Sequence, residues 1–202
     1  MPGLPESTPV IGGYGRLMPV NEAELRGDLT RVLFTPDVIA QRIRELAAEI
    51  DADYEGKDLL LVGVLNGAVM VMADLSRALT IHCRMDWMAI SSYGSGTKSS
   101  GVVRILKDLS TDITGVHVLL VEDIIDTGLT LSYLVSNLLS RSPASLEIMT
   151  AFRKPEAARN TVKVAYVGFD IPNEFVVGYG LDYAEQYRNL KGVAVLAPHV
   201  YE

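Results

Sequence analysis

Val118-Leu119-Leu120-Val121-Glu122-Asp123-Ile124-Ile125-Asp126-Thr127-Gly128-Leu129-Thr130 is a buried-strand pattern that ends in two adjacent carboxylates and runs through Asp-Thr-Gly into a helix. The strand reads back to Val116 and the helix forward to about Leu139. The same grammar occurs upstream, where Leu59 to Leu65 is a continuous apolar run followed by a helical stretch from about Ala68 to Leu79. It occurs again in the apolar run around Leu146 to Phe152. Apolar strands alternating with helices predict an α/β fold, a mainly parallel twisted sheet covered by helices on both faces. In such sheets ligands bind in the crevice at the carboxyl ends of the strands. The chemistry is therefore expected just after Leu65 and just after Val121.

Outward from this unit the chain divides into simpler pieces. Thr35-Pro36-Asp37 is a cap with proline at the first helical position, and Ile39, Ile43, Leu46 and Ile50 behind it make one buried helical stripe. Residues 1–30 mix proline, glycine and charge without a period and read as an arm or peripheral segment. Ser91 to Ser100 is almost all Ser, Gly, Thr and Lys around Tyr93, flanked by strand-like Met85 to Ile90 and Val102 to Leu106, which predicts a long excursion between two strands. From Val167 to Tyr183, Ile171-Pro172 and the glycines cut the chain into short pieces that suit a small cap more than another sheet unit.

At 202 residues, 49% hydrophobic and 21% charged, the chain is long enough for one filled core and short for two ordinary domains. A single domain over 1–202 is expected, with a core at about 31–165 and a hood at about 166–202 to which the N-terminal segment contributes. One cysteine, Cys83, excludes a disulfide framework and a thiolate zinc cluster. The start has no basic stretch leading into an apolar run, and no run of about 18 apolar residues occurs anywhere. The reading is a cytoplasmic protein without membrane insertion. A formal charge of -7 argues against a nucleic-acid partner, whose phosphates attract Lys and Arg. His82, His117 and His199 are scattered and offer no metal-ligand spacing.

Adjacent acids such as Glu122 and Asp123 repel each other, and partial burial penalises both charges, so a divalent cation or a set of hydroxyl donors is the natural compensation. Hard oxygen ligands suit Mg²⁺. Thr127, Gly128, Leu129 and Thr130 place backbone N–H groups and two hydroxyls at a helix N-terminus, where the dipole favours an anion of monophosphate size. Asp126 stands between the two ends. The plainer alternative is that Asp126 and Thr127 only cap the helix while Glu122 and Asp123 are solvated loop acids.

Val121-Glu122-Asp123-Ile124-Ile125-Asp126-Thr127-Gly128 resembles the phosphoribosyl pyrophosphate (PRPP) motif of the purine phosphoribosyltransferases, in the form used by their hypoxanthine-guanine branch. The resemblance covers roughly residues 31–196 and implies a type I phosphoribosyltransferase fold. It further implies Mg²⁺ as cofactor, PRPP and a 6-oxopurine as substrates, and homodimers or homotetramers. By that resemblance Glu122 and Asp123 hold the ribose hydroxyls directly and through Mg²⁺, and Thr127 to Thr130 wrap the 5′-phosphate; Asp126, between these two ends, is expected to be the catalytic group that takes or relays the proton of the base. Leu65, Asn66 and Gly67 are the pyrophosphate loop, with a non-proline cis bond expected between Leu65 and Asn66. Relatives often carry Lys or Arg at the position of Asn66, so only the backbone role carries over.

Ser92 and Tyr93 resemble the start of the loop that closes over the reacting centre. Lys154, after another apolar strand, is assigned to the purine O6, Phe175 to stacking on the base and the Val176 main chain to its edge. Asp182 is placed near a second Mg²⁺ and Arg188 at the pyrophosphate. Three rivals are weaker: a non-catalytic metabolite sensor or RNA-binding regulator predicts a basic face or a degraded site, a transferase for adenine conflicts with Lys154, and a P-loop kinase lacks its G-x-x-x-x-G-K-[ST] run.

Overall fold

The strand after the first helix, Leu59–Leu65, is buried at six of its seven positions, as a continuous apolar run requires when both faces of a sheet are covered. The structure, a computed structural model, describes residues 27–92, 103–157 and 162–202. In chain order the elements are β1 (Leu29–Phe34), α1 (Pro36–Asp53), β2 (Leu59–Leu65), α2 (Val69–Ala78), β3 (Cys83–Ser92), β4 (Val103–Lys107) and β5 (His117–Ile125). They continue with α3 (Leu129–Leu139), β6 (Ser145–Arg153), β7 (Tyr166–Asp170), β8 (Val176–Val177), β9 (Val193–Leu196) and α4 (Pro198–Tyr201).

Two compact units emerge, one of Ala40–Glu174 and one of the described residues up to Ile39 together with Phe175–Glu202. The larger carries a six-stranded sheet in the order β4-β3-β2-β5-β6-β7, parallel throughout except for the antiparallel edge strand β4. Its core gathers Leu60 and Val62 of β2, Val118 and Leu120 of β5 and Ile148 of β6 under Leu131, Leu134 and Leu138 of α3, a stripe at helical spacing. The smaller unit is a three-stranded antiparallel sheet, β1-β9-β8, around Val177, Leu190 and Leu196.

The α/β expectation holds, and several elements fall where the sequence puts them. β2 and α3 match residue for residue, and α1 begins at Pro36 with the Thr35 hydroxyl accepting from the Val38 N–H at 3.4 Å. Ile39, Ile43, Leu46 and Ile50 are all buried.

Three readings change. β5 does not stop at Val121: Ile124 and Ile125 go on pairing with Phe152 and Arg153 of β6, so the two acids lie inside the strand. Tyr166–Asp170 is the sixth strand of the large sheet and not part of a cap. It is short and lies at the sheet edge, with Gly168 against the Ala151 carbonyl, which hides its strand character in the sequence. Residues from Leu29, read as the end of an arm, enter β1, because Leu29 pairs with Leu196 at the other end of the chain. Of the expected excursion, Tyr93 to Ser100 lies outside the described residues.

Candidate active site

Strand order decides where a crevice opens. From β2 the chain crosses to β3 on one side, while β5 adds on the other, so the carboxyl ends of β2 and β5 flank the point where the winding reverses. β2 leads into the turn Asn66-Gly67-Ala68, and the Leu65–Asn66 peptide bond is cis, as the resemblance implied and as the residues alone did not. Gly67 is buried under the Asp123 carboxylate, and a Cβ at this position would overlap that carboxylate outright. Only glycine allows the turn and the acid to approach so closely.

Alternation along β5 sends the two acids to opposite faces. Asp123 meets the Gly67 turn and accepts the Ile124 N–H at 2.8 Å. Glu122 lines a cavity of about 230 Å³ together with Val64, Ile90, Ile124, Ile125 and the run Asp126 to Leu131. Glu122 is 8% exposed. Burial pushes its carboxyl well above the usual carboxylate range, and the neighbouring Asp123 charge adds to the shift.

The far wall of this cavity is the start of α3. Gly128 is its N-cap, in the left-handed conformation at φ 75°, and no side chain caps the helix. The cap-only reading of Asp126 and Thr127 is thus set aside. A helix whose first N–H groups receive no side-chain cap presents donors and the positive end of its dipole to whatever occupies the cavity.

At the rim, the Lys154 ammonium lies 3.7 Å from the Asp126 carboxylate, with Lys154 nearly enclosed and Asp126 half exposed. The Lys154 N–H donates to the Ile125 carbonyl at 2.9 Å, so the main chains on either side of this ion pair are joined. Arg153, one residue earlier, forks onto Asp170 across the neighbouring strand at 2.7 and 2.9 Å, which fixes the end of β6.

In the smaller unit, Val176 is buried in β8 and Phe175 is partly exposed. Asp182 and Arg188 form an ion pair at 2.9 Å. Arg188 also donates to the Gly180 carbonyl at 2.9 Å, and Asp182 accepts the Glu185 N–H at 2.9 Å. These bonds sit within a loop whose Tyr179, Ala184, Glu185 and Tyr187 all have positive φ, a conformation that side chains resist and that only surrounding bonds maintain.

A family model described as a phosphoribosyl transferase domain matches residues 35–184. The chain belongs to the phosphoribosyltransferase family. The hypoxanthine-guanine phosphoribosyltransferase of Mycobacterium tuberculosis is 54% identical over 193 residues, spanning 92% of this chain and 96% of that one. Its counterpart in Bacillus subtilis is 47% identical over 178 residues, spanning 88% and 99%. A crystal structure of a hypoxanthine phosphoribosyltransferase from Staphylococcus aureus matches with a TM-score of 0.85 at 45% identity, over 89% of this chain and 97% of that one.

For a phosphoribosyltransferase, the larger unit brings together Glu122, Asp126, Thr127, Gly128, Leu129 and Thr130 around one cavity, with Lys154 beside Asp126 and Asp123 on the Gly67 turn. Ser92 closes β3 opposite Val103, and Tyr93 lies outside the described residues. Sequence reasoning missed the apolar lining, Val64, Ile90 and Ile124, because nothing distinguishes a cavity wall from core in a run of aliphatic residues. It also missed the Arg153–Asp170 fork, for which register across two strands would have been needed.

Among the described residues no group of three or more His, Cys, Asp or Glu side chains is placed to hold a metal. Mg²⁺ is usually held by one or two carboxylates, with substrate phosphates and water completing its shell. Glu122 and Asp123 fit that requirement in number and in donor type.

Proposed function

We propose that the protein transfers the phosphoribosyl group of PRPP to N9 of hypoxanthine or guanine, giving IMP or GMP and pyrophosphate in purine salvage. The observation that carries this reading is the Lys154–Asp126 pair at 3.7 Å on the rim of the cavity. A 6-oxopurine with a proton on N7 presents an acceptor, O6, beside a donor, N7–H. Lys154 supplies a donor for the first and Asp126 an acceptor for the second. Adenine would set its 6-amino group against the ammonium, donor against donor, and mismatches of this kind discriminate strongly.

In this reading the first N–H groups and the hydroxyls of Thr127 to Thr130 bind the 5′-phosphate, and Glu122 and Asp123 bind the ribose diol. The N–H groups of Asn66 and Gly67, with the Arg188 guanidinium, receive pyrophosphate. Phe175 stacks on the base and the Val176 main chain meets its edge. The N9 lone pair forms the bond to C1′ as the bond from C1′ to the pyrophosphate oxygen breaks, while the N7 proton passes to Asp126. Positioning and charge stabilisation provide most of the acceleration. Mg²⁺ would be held by Glu122 and Asp123 together with substrate oxygens, with Asp182 assigned to a second ion, and would supply neutralisation of the departing charge. Ser92 and Tyr93 begin the segment that excludes water from the oxocarbenium-like centre. A cytoplasmic homodimer or homotetramer accords with this assignment. No helix among the described residues is long and apolar enough to cross a membrane.

The test is an absorbance assay with PRPP and Mg²⁺, offering hypoxanthine, guanine, xanthine and adenine separately beside a metal-free control. Metal-dependent IMP and GMP formation without AMP is expected. AMP formation would remove the argument from Lys154, and PRPP binding without turnover on any base would favour a metabolite sensor.

A further inference from the structure

Phe175 belongs to a cluster of three aromatic rings in the smaller unit. The Tyr201 ring is stacked on it at a centroid distance of 4.9 Å and an interplanar angle of 22°. Tyr183 approaches Phe175 edge-on, at 5.6 Å and 88°. Tyr183 and Tyr201 are themselves only 6.5 Å apart. Were Tyr183 across Phe175 from Tyr201, those two centroids would be separated by nearly the sum of the other two distances. They are not, so Tyr183 does not lie opposite Tyr201 across the Phe175 ring, and the two tyrosines do not sandwich it. Phe175 is partly exposed, as are Tyr183 and Tyr201.

The main chain ties Tyr201 to this position by a short path. The Leu196 N–H donates to the Phe175 carbonyl at 2.9 Å, the Ala197 N–H to the Asp28 carbonyl at 2.7 Å, and the Val200 N–H to the Ala197 carbonyl at 3.0 Å. Pro198 opens α4 with its φ already helical. The turn that presents the Tyr201 ring is therefore anchored at the strand that also holds the Phe175 backbone. An aromatic platform binds a flat ligand well only if its own plane is set beforehand, since ordering it on binding subtracts from affinity.

We propose that Tyr201 is a positioning residue for the base: it backs Phe175 on one face so that the opposite face is held ready for a purine ring, with Tyr183 packed edge-on against it. This rests on the reading of Phe175 as the stacking residue. Tyr201 touches no reacting atom, and its effect reaches the base only through the plane of Phe175.

The experiment compares Tyr201→Ala, Tyr201→Leu and Tyr201→Phe with the parent, measuring KM for hypoxanthine and for PRPP separately, with thermal unfolding as the folding control. Tyr201→Ala and Tyr201→Leu are expected to raise KM for hypoxanthine by about 3- to 10-fold, the scale of one aromatic pair, and to leave KM for PRPP in place. Tyr201→Phe should restore the parent value. Tyr201→Leu keeps apolar bulk under α4 and serves if the alanine variant does not fold. Equal changes in both KM values, or a Tyr201→Phe variant as impaired as Tyr201→Leu, overturn the proposal. Phe175→Leu separates the two levels. If it leaves KM for hypoxanthine unchanged, the stacking role of Phe175 fails and the inference with it. If it raises that KM while the Tyr201 variants do not, only the backing role fails.

Discussion

Asp126 differs from its acidic neighbours in where it stands. Glu122 is buried and Asp123 is turned toward Gly67, while Asp126 is half exposed at the cavity rim with an ammonium 3.7 Å away. A proton acceptor needs access to its partner and an environment that tolerates both of its charge states. Replacing Asp126 by Asn keeps the shape and removes the acceptor. Asp126→Asn is expected to cut kcat by about 10²- to 10⁴-fold and to leave PRPP affinity largely as it is, because in the proposed function the start of α3 and not Asp126 binds the phosphate. Single-turnover rates and equilibrium PRPP binding, measured side by side, check both halves. Unchanged turnover would take Asp126 out of the mechanism.

Among the elements, β3 and β4 are joined by more than their pairing. The Asp86 carboxylate in β3 is 6% exposed and accepts the N–H groups of Trp87, Ser110 and Thr111 at 2.7, 2.8 and 3.0 Å, with the Lys107 ammonium at 3.4 Å. Burial by itself would raise this acid, but the three backbone donors and Lys107 outweigh it and hold its pKa below the ordinary value. A folded pKa below the unfolded one means that the stabilisation is complete above the unfolded value, about 3.9, and is lost as pH falls through the folded value. Asp86→Asn is expected to lower stability by about 1–3 kcal/mol at neutral pH, and the gap between parent and variant should narrow as pH falls below about 4. Urea unfolding from pH 7 to pH 3 measures this. A gap that stays constant across the range would show that the carboxylate charge is not its source.

At the scale of the molecule, stability rests on the layer between the sheet and α3. Leu134 is fully buried among residues of β2, β5 and β6, and its neighbours come from strands that cannot all shift to fill a gap. Leu134→Ala is expected to cost about 2–5 kcal/mol, which for a chain of this size lowers the midpoint by roughly 5–20 °C. Thermal unfolding reads this directly, and a loss under about 1 kcal/mol would mean that the layer closes around the missing side chain.

What the sequence by itself determined is local and periodic. Continuous apolar runs beside helical stripes specify β2, β5, α2 and α3, because a strand covered on both faces admits few polar residues and a covered helix admits them on one side only. Those runs, with the motif from Val121 to Gly128, were enough for the fold class and for the family. Only the tertiary structure decided which distant segments meet. Leu29 pairs with Leu196, Gly67 lies under Asp123, Tyr166–Asp170 joins the large sheet, and Tyr201 covers one face of Phe175. Each depends on register or on close approach between residues far apart in the chain, and neither spacing nor composition records it. The physical reason is that a side chain's burial pattern says that it is covered, while the identity of what covers it is settled only when the whole chain has packed.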